Sequence, residues 1–99
     1  MDDINTFAWI FLATAMASQM SAAKFDGISA VADYINHAVP THKELQTSVT
    51  WLIGNNLIAK QGNKYSLTDS GKKLFGEASE KHKAIFKMRD YINNELRKL

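Results

Sequence analysis

Cysteine is absent from the chain, which excludes disulfide stapling, thiolate catalysis and any zinc site built on Cys ligands. That absence fits a reducing compartment, so a cytoplasmic location is the expectation. Proline occurs once and glycine five times, too few turn-forming residues for a sandwich of many short strands. Basic residues are nearly missing from the first forty positions, where Lys24 stands against Asp2, Asp3, Asp26 and Asp33 for a net −3, while the remainder carries eleven basic and six acidic residues, a net +5. A polyanion partner is therefore expected to meet the C-terminal part. What is present is typical of one folded domain: 99 residues, 45% of them hydrophobic and 22% charged. A single, mainly helical domain over 1–99 follows.

Ile4 to Ala23 is a twenty-residue stretch without a charge, long enough to span a bilayer. Asn5, Thr6, Thr14, Ser18, Gln19 and Ser21 make it too polar for that role, and Asp2 and Asp3 stand where a leader peptide needs positive charge. No membrane association is expected. The stretch reads instead as a helix over 4–23 that is apolar nearly all round, with Phe7, Phe11 and Ala15 on one stripe and Trp9, Ile10 and Met16 elsewhere. Such a helix is buried on two sides, and a second copy of the chain is the expected cover for one of them.

Lys24-Phe25-Asp26-Gly27 has the composition of a turn. Ile28, Val31, Ala32 and Ile35 then repeat at helical spacing and predict a second helix over 28–38, which Val39-Pro40 terminates. Thr41-His42-Lys43-Glu44 is a capping box, in which the Thr41 hydroxyl accepts from the Glu44 backbone and the Glu44 carboxylate accepts from the Thr41 backbone. A third helix over 41–55 follows, with Leu45, Val49, Leu52 and Ile53 on its apolar face and Asn55-Asn56 available for a left-handed exit. Two strand-like runs flank Gly62-Asn63, predicting a hairpin over 57–67 that pairs Ile58 with Leu67 and Lys60 with Tyr65. Thr68-Asp69-Ser70 caps a last helix over 69–98. Along it Ala78, Ile85, Ile92 and Leu99 recur every seven residues, beside Leu74, Met88 and Leu96.

Three helices, a two-stranded hairpin and a long helix is the element order of a winged helix-turn-helix, in which the third helix enters a DNA major groove and the hairpin is the wing. The fold expectation is thus mainly α with a two-stranded β-hairpin (α+β), with long N- and C-terminal helices. Three stretches carry a closer likeness: Pro40-Thr41-His42-Lys43-Glu44-Leu45, Leu52-Ile53-Gly54-Asn55-Asn56-Leu57-Ile58, and Tyr65-Ser66-Leu67-Thr68-Asp69-Ser70-Gly71. In these the chain resembles bacterial winged-helix regulators of the MarR and PadR type, and also a group of small bacterial winged-helix proteins of unassigned role. The resemblance spans roughly residues 28 to 75. It implies a DNA-binding, dimeric transcriptional regulator, with function still to be argued from the site.

On the third helix, His42, Lys43, Gln46, Thr47 and Thr50 lie away from the apolar face and carry the expected DNA contacts: Gln and Thr for base edges, Lys43 for guanine or phosphate, His42 for phosphate. Lys60, Gln61, Asn63 and Lys64 on the wing, with Lys72 and Lys73 at the start of the last helix, supply the remaining contacts and most of the charge. Phe7, Trp9, Ile10 and Phe11 of the first helix and Ile85, Met88, Ile92 and Leu96 of the last are the expected homodimer seam. The rival reading is a protein-binding winged-helix module that uses the same helix-three face with Trp51. A small-molecule effector would need a cleft between the first and last helices, lined by Trp9, Phe11, Met16, Phe86 or Tyr91, although such a stripe usually belongs to a core. His37, His42 and His82 lack metal-ligand spacing, and no nucleophile motif or phosphate loop is present. Neither a metal, a cofactor nor an enzymatic activity is expected.

Overall fold

The computed structural model describes residues 3–99. Five helices and one antiparallel hairpin make a mainly helical α+β fold: α1 (Ile4–Ala17), α2 (Phe25–Asn36), α3 (His42–Gly54), β1 (Ile58–Gln61), β2 (Lys64–Leu67), α4 (Asp69–Lys81) and α5 (Ile85–Leu96). Among the described residues no helix is long and apolar enough to cross a membrane.

Helix α1 is the hub. Every residue from Phe7 to Ala15 is buried, because α2, α3 and α5 pack around it. The Trp9 indole N–H donates to the Ala32 carbonyl at 2.9 Å and fixes α2 against it, while the Phe7 ring stacks on Trp51 of α3 at 4.8 Å. A helix apolar nearly all round thus finds its cover inside one chain, and no second subunit is needed to bury it.

The helix stops at Ala17 rather than at residue 23. Ser18 turns both its backbone N–H and its hydroxyl onto the Thr14 carbonyl, and the Ser18-Gln19-Met20-Ser21 run leaves the helix and carries the chain to Ala23. There the backbone pairs with Tyr65 through two hydrogen bonds of 2.8 and 2.7 Å, adding a one-residue bridge to the free edge of β2. The hairpin is therefore flanked on that edge by Ala23, in the spatial order Ala23, β2, β1. Lys24-Phe25-Asp26-Gly27, expected as a turn, is the start of α2, with Lys24 as an extended N-cap and Asp26 in the first turn, where a carboxylate favours the helix dipole. The helix closes on His37, which adopts φ 52° and donates its N–H to the Asp33 carbonyl.

Helix α3 begins on the expected capping box, with both reciprocal bonds formed: Glu44 N–H to the Thr41 hydroxyl at 3.0 Å and Thr41 N–H to the Glu44 carboxylate at 2.8 Å. Its exit turns on Asn56 at φ 59°. The hairpin pairs Ile58 with Leu67 and Lys60 with Tyr65, and Gly62 takes the left-handed φ of +62° that the two-residue turn requires.

The long C-terminal helix is two helices. His82 and Ala84 are extended, and α5 folds back on α4 and α1. The break moves Met88, Ile92 and Leu96 into the core, at about 1.5 to 3 kcal/mol for each such side chain removed from water, which outweighs the few backbone hydrogen bonds lost at the corner. The seven-residue seam dissolves accordingly: Ala78 and Ile92 are fully buried, Ile85 is half-buried and Leu99 is 66% exposed.

Candidate nucleic-acid interface

The outer face of α3 is open. His42, Lys43, Gln46, Thr47 and Thr50 are all exposed, while Leu45, Ser48, Val49 and Leu52 anchor the inner face. The capping box sets where this face begins, since it holds the first turn with His42 and Lys43 in place. Gln46 and Thr50 approach each other at 3.4 Å, one helical turn apart, which aligns an amide and a hydroxyl along the face.

The hairpin presents Lys60, Gln61, Asn63 and Lys64, all exposed. Tyr65, in the second pair from the turn, is buried, and the Lys60 ammonium stands 6.0 Å from the centre of the Tyr65 ring. Phe25 joins the hairpin to α3. Its ring stacks on Tyr65 at 4.9 Å and 10° and takes an edge contact with the His42 imidazole at 5.8 Å. The N-terminus of α3, the N-terminus of α2 and the hairpin therefore form one continuous surface, with a shallow recess of about 310 Å³ bordered by Lys24, Asp26, Lys60 and Asn63. Lys24 and Phe25 were not among the residues expected here. The missing signal was structural: the Ala23–Tyr65 bridge and the Phe25–Tyr65 stack, both between distant positions, bring the α2 start beside the hairpin.

Lys72 and Lys73, assigned to the same surface, are exposed but diverge. Lys72 borders a recess with Ser66, Phe75 and the end of α1, whereas Lys73 borders another with Glu77 and Glu95. Adjacent helical positions point about 100° apart, so the pair does not act as one patch.

The residues assigned to a homodimer seam lie inside the chain. Phe7, Trp9, Ile10, Phe11, Met88, Ile92 and Leu96 are buried and Ile85 is half-buried against the core, because the break after Lys81 lets α5 cover α1. The proposed effector lining is dispersed for the same reason. Trp9 and Phe11 belong to the core, Tyr91 lies beneath the Lys81 ammonium at 5.0 Å and beside His82, and Phe86 faces solvent. Trp51 is engaged with Phe7. Among the described residues no group of three His, Cys, Asp or Glu side chains is placed to hold a metal ion; His37 closes α2 and His42 meets Phe25.

No protein-family model, curated protein or solved structure matches the chain.

Proposed function

We propose that the protein is a winged-helix transcriptional regulator that binds double-stranded DNA, with α3 reading the major groove and the β1–β2 hairpin as the wing against the backbone. The observation that carries this reading is the Phe25 junction, which sets the exposed polar face of α3 beside a hairpin bearing Lys60 and Lys64. A groove-entering helix needs an adjacent, positively charged element to hold its register on the phosphates. The Ala23–Tyr65 bridge supports the same reading, since it ties the wing to the body of the fold.

On this proposal Gln46, Thr47 and Thr50 meet base edges, Lys43 takes a guanine or a phosphate, and His42, Lys24, Lys60 and Lys64 meet phosphates. In the rival reading, a protein-binding module, Trp51 offers a partner only the part of its ring that the stack with Phe7 leaves open. For a second copy of the chain, the apolar side chains exposed in the C-terminal segment are Phe86 and Leu99.

The test is fluorescence anisotropy with a mixed-sequence duplex at two salt concentrations. Micromolar binding that falls steeply with salt is expected. No binding at low salt would reject the proposal.

A further inference from the structure

Four exposed residues of α3, His42, Gln46, Thr50 and Gly54, follow one another at four-residue steps and so form a single row along the helix. The row starts beside the hairpin, because the His42 imidazole meets the Phe25 ring that stacks on Tyr65. It ends at Gly54, where a Cβ would meet nothing within 4 Å and the backbone stays helical. Neither packing nor conformation within the chain calls for glycine at that point, and its bare backbone leaves the end of the row open to the close approach of another molecule.

Gln46 is the residue of this row whose donor and acceptor sit side by side on one planar group. It donates one amide N–H to the Thr50 hydroxyl at 3.4 Å, which leaves Oε1 and the second N–H. The one carboxylate of α3, Glu44, is committed to the Thr41 N–H in the capping box, so no acidic side chain stands on the row to repel phosphate or to select cytosine. In the major groove an adjacent donor and acceptor complement adenine, whose N7 accepts and whose N6 donates. Guanine presents two acceptors, N7 and O6, one of which would face Oε1. Thymine and cytosine each present a single polar group.

We infer that Gln46 is the specificity-determining residue of α3 and that it selects adenine in the duplex. The inference rests on the nucleic-acid reading of α3 and adds to it the base that the helix prefers.

The test uses the intact chain to select duplexes from a random-sequence library at one salt concentration. Affinities for the selected duplex and its single-base variants are then measured by fluorescence anisotropy. The expected result is a selected sequence holding an adenine whose replacement by guanine weakens binding about tenfold or more. Gln46→Ala should abolish that difference and leave the preferences at other positions in place. Gln46→Glu keeps the side-chain length but loses the N–H, and should abolish the adenine preference as well; circular dichroism reports that each variant remains folded. A selected sequence in which Gln46→Ala alters no adenine position, or alters a position where another base is preferred, overturns the inference while the nucleic-acid reading stands. Salt-dependent duplex binding that selects no sequence does the same. No duplex binding at low salt overturns both.

Discussion

The ring of Phe25 stacks on that of Tyr65 at 4.9 Å with 10° between the planes, while its other neighbour is the His42 imidazole at 5.8 Å. One half-buried side chain at the start of α2 thereby ties the hairpin to the first turn of α3. Phe25→Ala removes the stacking, about 0.5 to 1.5 kcal/mol, together with part of the ring's burial. A total loss of about 2 kcal/mol is expected, or roughly 10 °C in Tm for a domain of this length. Duplex binding should weaken by more than the unfolded fraction explains, since the hairpin loses its angle to α3. A variant with lowered Tm and unaltered affinity at a temperature where it is fully folded would show that the junction is structural only.

On the proposed reading, charge reversal on the hairpin separates phosphate contacts from base contacts. Lys60→Glu with Lys64→Glu should weaken binding evenly across sequences and flatten the dependence of log K on log salt by about two phosphate contacts, near 0.9 each. Lys24→Glu should remove about one further contact, because Lys24 borders the same recess as Lys60. Lys73→Glu should change little, since Lys73 borders a different recess, with Glu77 and Glu95. An equal effect from Lys24 and Lys73 would contradict a surface centred on the wing and the start of α2.

Local signals in the sequence were legible where the cause is itself local. The capping box at Thr41 and Glu44, the left-handed Asn56, and the Gly62-Asn63 turn with its Lys60–Tyr65 register each follow from residues within a few positions of one another, and each is found. The errors fall where a distant partner decides. Ala23 leaves the helical state because the edge of β2, more than forty positions away, offers it two backbone hydrogen bonds. The last helix breaks at His82 because α1 and α4 present an apolar surface that a straight helix leaves uncovered. The exposed-face residues on α3 follow from helical periodicity alone. Lys24 was invisible because its place beside the wing depends on the Ala23 bridge, and Lys72 and Lys73 looked like a pair only because they are adjacent in the chain.

Gly71 is the position where a side chain is least tolerable. A Cβ there would stand 2.1 Å from the Leu57 carbonyl oxygen and 3.3 Å from the Leu67 side chain. The same carbonyl accepts the Thr68 N–H, so relief of the clash disturbs both the α3 exit and the α4 cap. Gly71→Ala should cost roughly 3 kcal/mol or more, as an unrelieved backbone clash does. Gly76 is the control: it lies inside α4, and a methyl group added there would meet nothing within 4 Å. Gly76→Ala should stabilise by about 0.5 to 1 kcal/mol through helix propensity. Urea midpoints moving in opposite directions for the two variants would support this packing; similar midpoints would refute it.

The capping box joins stability to the proposed reading face, because the turn it secures carries His42 and Lys43. Thr41→Ala leaves the Glu44 N–H without its acceptor and loosens the carboxylate that returns to residue 41. A loss of about 1 kcal/mol is expected, seen as a lower urea midpoint at unchanged slope. Thr41→Ser keeps a hydroxyl at the cap and should recover most of it. Fraying of this turn frees His42 from Phe25 and lets Lys43 drift, so Thr41→Ala should also reduce duplex affinity under conditions where the chain remains folded, and Thr41→Ser should not. If both variants bind DNA as the parent does while Thr41→Ala shows the lowered midpoint, the first turn of α3 makes no contact with the duplex, and reading by this helix would have to begin at Gln46.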